Sequence, residues 1–125
     1  MKILKIQGGH KLSGTVRISG AKNSAVALIP ATLLADDKMT LCNIPNILDI
    51  DYLEKTLTYL NVKVNRASES LVIDTTMMKN KEIPEELSSK LRASYYFMAV
   101  LLAKYKYVKM SAHESEPPGC PALAL

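Results

Sequence analysis

The chain has 125 residues, 48% of them hydrophobic and 22% charged, the balance of a globular domain or part of a larger one and not of a disordered chain. Its formal charge of +4 favours anionic partners. Its 16 Lys and Arg are scattered singly, however, and six Tyr, one Phe and no Trp provide no stacking platform, so small anionic substrates suit it better than nucleic acid. No apolar run approaches the length of about 18 residues that a membrane span needs, and residues 1–5 lack the apolar stretch of a signal peptide. Two cysteines, Cys42 and Cys120, make neither a disulfide framework nor a metal cluster. The chain reads as cytoplasmic.

Residues 3–7 and 14–19 carry β-branched residues in short runs separated by Gly8-Gly9, the pattern of paired strands. A helix is predicted over about 23–34, apolar nearly all round and so buried on several sides, with Pro30 bending it. Asp36-Asp37 end it. A strand over 38–44 follows, with Cys42 as a small core residue. After the break at Pro45-Asn46, Ile50, Leu53, Leu57 and Leu60 recur at spacings of three and four, predicting an amphipathic helix over 49–60 with Asp49 or Asp51 near its start. Short strands at 62–64 and 71–73 flank a polar turn. A loop over 75–82 leads to a helix from Pro84 to about 104, with Glu85 and Glu86 in its first turn and Leu87, Leu91, Met98, Leu101 and Leu102 supplying much of its apolar face. Arg92 interrupts that helix beside the small residues Ala93 and Ser94. Residues 107–110 read as a last strand. The order β-β-α-β-α-β-β-α-β argues for a layered α/β or α+β fold.

The stretch from Ser19 to Ser24 joins a strand-like run to a helix. Gly20 permits a sharp turn or a close approach, the following amides form a helix N-terminus that favours anions, Lys22 adds a full charge, and Asn23 adds a donor, an acceptor and a possible helix cap. Two readings stand on these residues: a phosphate or carboxylate site, and an ordinary turn with a solvated lysine.

Three segments together resemble the start of the UDP-N-acetylglucosamine 1-carboxyvinyltransferases, in the enolpyruvyl transferase family: Leu12-Ser-Gly-Thr-Val-Arg-Ile-Ser-Gly-Ala-Lys-Asn-Ser-Ala, Asn43-Ile-Pro-Asn-Ile-Leu-Asp-Ile-Asp and Lys90-Leu-Arg-Ala-Ser. The resemblance covers residues 1 to about 110 in register. The sibling enolpyruvylshikimate phosphate family would show Gly-Ser-Lys-Ser and a Gly-Thr pair before its arginine, and neither is present. The resemblance implies transfer of the enolpyruvyl group of phosphoenolpyruvate to the 3-hydroxyl of UDP-N-acetylglucosamine with release of phosphate, the opening of peptidoglycan precursor synthesis. Addition and elimination through a tetrahedral ketal need no metal or cofactor. By the same resemblance, Lys22 and Asn23 match the phosphoenolpyruvate-binding pair and Arg92 an arginine that contacts the UDP-sugar. The implied fold is a partial inside-out α/β barrel built from β-α-β-α-β-β units. Residues 1–20 would pack with a second domain, 21–110 would begin the first domain, and 111–125 would form an atypical tail.

That tail departs from the family, whose general-acid cysteine lies in Pro-Gly-Gly-Cys, followed shortly by Ala-Arg-Pro. Here Cys120 lies in Pro118-Gly119-Cys120, several residues too far from Arg92, and no Ala-Arg-Pro follows. Cys120 is the candidate general acid, against the alternative that 111–125 is an out-of-frame or unrelated tail in which His113 and Glu114 have no role. With most of the family's cleft absent, the isolated chain is expected to be inactive or nearly so, and its uncovered apolar helix faces to favour self-association. The competing expectation is a non-catalytic module that binds a nucleotide sugar or a partner chain.

Overall fold

The computed structural model describes residues 2–89 and 94–110. Helix α1 spans Lys22–Ala31 and tightens into a 3-10 turn at Thr32–Leu34. Ala25, Ile29 and Leu33, four residues apart, form its buried stripe. Pro30 falls in the last turn of α1, where it cannot donate the hydrogen bond back to the Val26 carbonyl, and the helix narrows to 3-10 two residues later.

Strand β1 (Lys38–Leu41) precedes helix α2 (Leu48–Tyr59), which buries Ile50, Leu53 and Leu57 at the predicted spacing. Asn61 ends α2 in the left-handed conformation, with φ 65°. The Asn61 amide donates to Thr58 and the Val62 amide to Leu57, a Schellman closure that turns the chain into the next strand. Strands β2 (Lys63–Ala67) and β3 (Ser70–Asp74) form a hairpin with a two-residue loop, in register from Lys63 opposite Asp74 to Ala67 opposite Ser70. β1 pairs antiparallel with the other edge of β3, giving the order β1-β3-β2. The central strand accordingly buries Leu71 and Ile73 completely.

Helix α3 (Glu85–Ser88) begins directly after Pro84, with Glu85 and Glu86 in its first turn, and helix α4 spans Ser94–Tyr105. α1 lies against both α2 and α4. Phe97, Val100 and Leu101 carry α4 into the core, whereas Leu102 is exposed and Met98 only half-buried. Phe97, the largest fully buried side chain among the described residues, was not among the apolar residues singled out for this helix. Each of the fully buried Leu and Ile side chains contributes about 1.5–3 kcal/mol of transfer free energy.

Several expectations are corrected. Residues 2–19 enter no strand, and Ile3, Leu4, Ile6, Leu12, Val16 and Ile18 are all at least 80% exposed. Strand geometry depends on a partner for its backbone groups, and no described residue pairs with this segment. Cys42 lies just beyond β1 and is exposed, not in the core, because the strand is an edge that ends at Leu41. Residues 107–110 contribute a single parallel bridge, Met110 to Ile83, and not a strand. α1 is less enclosed than its composition suggested: Leu28 and, beyond it, Leu34 face outward.

Candidate functional site

The junction before α1 is built by close packing on the segment that follows β1. A Cβ at Gly20 would collide with the backbone carbonyl oxygen of Asn43, so the glycine here serves approach to this chain's own backbone. Asn43 takes the left-handed conformation, φ 59°, which asparagine tolerates, and the next amide, Ile44 N–H, donates to the Glu69 carbonyl in the hairpin loop at 2.7 Å. Gly20, Asn43 and the hairpin loop are thereby stacked in sequence.

Ala21 is the N-cap of α1, in extended conformation, and supplies no side-chain hydrogen bond. The cap expected of Asn23 is not formed, because that residue is the second of the helix, two positions past the N-cap. No acidic side chain stands in the first turn of α1. Lys22 and Asn23 are both exposed there, side by side at the positive end of the helix. Lys22 is not a free cation: its Nζ forms an ion pair with Asp49 Oδ2 from the first turn of α2. This pair, half-exposed on the lysine side, links the starts of the two helices.

A second charged group lies beside it. Arg66, on the inward face of β2 and only 21% exposed, places Nη1 2.8 Å from Asp51 Oδ1 and 3.1 Å from Glu54 Oε1. Its Nη2 donates to the Pro45 carbonyl at 3.3 Å and to Asn46 Oδ1 at 3.2 Å. The planar fork lets one side chain serve a carbonyl, an amide and two carboxylates. Burial pushes the Glu54 carboxyl above its ordinary value, the neighbouring Asp51 charge adds to this, and Arg66 offsets it in part. Glu54 Oε1 is buried, and its 3.1 Å contact with Arg66 combines charge with a hydrogen bond of poor geometry.

A third polar group closes the other end of α1. Lys104, 15% exposed, donates to the carbonyls of Leu33 and Ala35 and pairs with Asp36 at 2.5 Å, while the Thr75 hydroxyl donates to Ala35 at 2.6 Å. These groups satisfy the last carbonyls of a helix end, a structural task.

Of the residues singled out from the sequence, Lys22 and Asn23 are brought together; Arg92 and Cys120 lie outside the described residues. The sequence reading gave Asp49 a place only at the helix start and in the family-like segment it shares with Asn43, and gave Arg66 no role. The Asp49-Ile50-Asp51 run at the start of α2 was the available signal, but nothing in it identifies Lys22 or Arg66 as partners. Among the described residues, no group of three or more His, Cys, Asp or Glu is arranged to hold a metal ion, and no helix is long and apolar enough to cross a membrane.

Comparison with known proteins finds that the family model for EPSP synthase (3-phosphoshikimate 1-carboxyvinyltransferase) matches residues 6–114. UDP-N-acetylglucosamine 1-carboxyvinyltransferase 2 of Staphylococcus epidermidis is 42% identical over 96% of the chain, and the protein of that name from Staphylococcus aureus is 43% identical over the same share. The chain spans only 28% of the length of either. Among solved structures, the enolpyruvyl transferase NikO from Streptomyces tendae superposes with a TM-score of 0.69 at 26% identity, over 78% of this chain and 23% of that one. Its likeness supports the inside-out α/β barrel reading, of which the antiparallel sheet and its helices form a part.

Proposed function

The chain belongs to the EPSP synthase family, the enolpyruvyl transferases, and on that premise we propose that it carries part of the substrate site of a UDP-N-acetylglucosamine 1-carboxyvinyltransferase. The reaction is transfer of the enolpyruvyl group of phosphoenolpyruvate to the 3-hydroxyl of UDP-N-acetylglucosamine, with release of phosphate, in the cytoplasm and at the opening of peptidoglycan precursor synthesis. The observation that carries this reading is the 20–23 junction: a helix N-terminus without a side-chain cap or first-turn acid, bearing an exposed lysine and asparagine. Such an end stabilises phosphate and carboxylate oxygens.

In this scheme Lys22 and Asn23 hold phosphoenolpyruvate, and the anion competes with Asp49 for the lysine. Arg92 binds the UDP-sugar. The sugar hydroxyl gives up its proton to solvent as its oxygen adds to C2 of phosphoenolpyruvate, and a general acid, assigned to Cys120, protonates C3. The resulting ketal then expels phosphate while a proton leaves C3, so the enol double bond is restored. Residues 1–20 pack with a second domain, 21–110 begin the first, and 111–125 form the tail.

The chain alone binds without turnover, because the opposing wall of the cleft belongs to the remaining length of such an enzyme. Titration calorimetry with phosphoenolpyruvate and with UDP-N-acetylglucosamine, beside a phosphate-release assay, tests this. Heat of binding that is lost in Lys22→Gln supports the site. Phosphate release that requires UDP-N-acetylglucosamine overturns the inactivity, and no binding of either substrate overturns the site assignment.

A second reading, a non-catalytic module that associates with a partner chain or its own copy, is favoured by one observation. Leu28 on α1 and Tyr95, Tyr96 and Leu102 on α4 are exposed. A defined oligomer on sizing chromatography with no response to either substrate would select it.

A further inference from the structure

We propose that Arg66 is a positioning residue for the 20–23 junction, setting its anion affinity without touching the anion; this rests on the anion-binding reading of that junction. Its four partners, Pro45, Asn46, Asp51 and Glu54, span the turn before α2 and the first two turns of that helix. Within or just before the same segment lie the two residues on which the junction leans: Asn43, whose carbonyl packs on Gly20, and Asp49, which holds Lys22. Asp49 sits between Asn46 and Asp51, both of which Arg66 grips. The β2–β3 hairpin that presents Arg66 also accepts the Ile44 amide at Glu69, so one hairpin fixes both ends of the turn.

The guanidinium is suited to this in a way that an ammonium is not. Its two terminal nitrogens point to different groups: Nη1 to the helix carboxylates, Nη2 to the turn before the helix. A lysine at 66 keeps the charge beside Glu54 and Asp51 but has one nitrogen where the fork has two. Loss of the charge altogether leaves Glu54 buried without a counter-ion and frees the turn that carries Asn43 and Asp49.

The test uses the 125-residue chain, 15N-labelled, as wild type, Arg66→Met, Arg66→Lys and Asn46→Ala. Three quantities are read: the amide resonances of residues 20–23, the Lys22 side-chain ammonium resonance, and the affinity for inorganic phosphate. Arg66→Met is expected to shift the first two and weaken phosphate binding by about two- to tenfold, the lower part of the range for residues coupled through one hydrogen-bond and salt-bridge network. Arg66→Lys restores part of the effect, and Asn46→Ala shows a smaller change of the same sign. A merely structural Arg66 would lower the denaturation midpoint and leave the 20–23 resonances and the phosphate affinity at wild-type values, which overturns the proposal. If Arg66→Met fails to fold, wild-type values for both Arg66→Lys and Asn46→Ala overturn it equally. If wild type does not respond to phosphate while the Lys22 resonance still answers to position 66, the anion reading falls and the positioning role stands.

Discussion

Two short runs of alternating apolar residues meet opposite fates in this chain. Val16 and Ile18 alternate with Thr15 and Arg17 and are 85% and 86% exposed; Leu71 and Ile73 alternate with Val72 and Asp74 and are wholly buried. Both place an apolar residue at every second position, though Val72 also makes residues 71–73 a continuous apolar run. The difference is that β3 has a partner on each edge and a helix layer over one face, whereas residues 14–19 touch the body through the exposed Arg17–Glu69 ion pair at 2.7 Å. Alternation therefore marks a segment able to pair, and burial is decided by whether a partner is present.

The contrast can be broken from its buried side first. Ile73→Ala should lower unfolding free energy by about 2–5 kcal/mol, measured by urea denaturation, since the central strand leaves little room to collapse. A loss under about 1 kcal/mol would mean that the sheet is not the organising layer. Next comes the junction between the two regions. Gly20→Ala forces its methyl group into the Asn43 carbonyl and should cost about 1–3 kcal/mol, together with a shift of the Asn43 and Ile44 amide resonances.

A smaller, pH-dependent effect sharpens the picture around Arg66. Because burial raises the Glu54 carboxyl above 4.5, the folded state holds that proton more tightly than the unfolded chain does. Stability then falls as pH rises from 4.5 through the raised folded value, and the full penalty is present above that value. Glu54→Gln should remove this slope, leaving the variant equal to or up to about 1 kcal/mol more stable than wild type at neutral pH. Equal slopes in the two proteins, followed by denaturation across pH 4–8, would contradict it. Least affected is Ile18→Ala, expected within about 0.5 kcal/mol of wild type for the isolated chain. A large loss there would show that residues 14–19 do pack on the body in solution.

Much of the body was legible because its signals are local. The three-and-four spacing of Ile50, Leu53 and Leu57 gave α2 within a residue at each end, and Glu85 and Glu86 marked the start of α3. The hairpin followed from its polar turn, though both strands extend beyond the short apolar runs that suggested them. Cys42 was misread because an edge strand and a central strand look alike from one side. Phe97 was passed over because α4 is apolar on several faces, and spacing alone does not select the one that packs against α1.

The sequence by itself determined the family signature, the starts of α1, α2 and α3 and the placing of Lys22 and Asn23 in the first turn of α1, since each depends on residues within one or two turns of one another. Only the tertiary structure decided that Gly20 is needed against Asn43, that Asp49 holds Lys22, and that Arg66 grips the turn between them. These contacts join residues 20 to 27 positions apart, and their geometry exists only once the hairpin and the two helices have packed around one core.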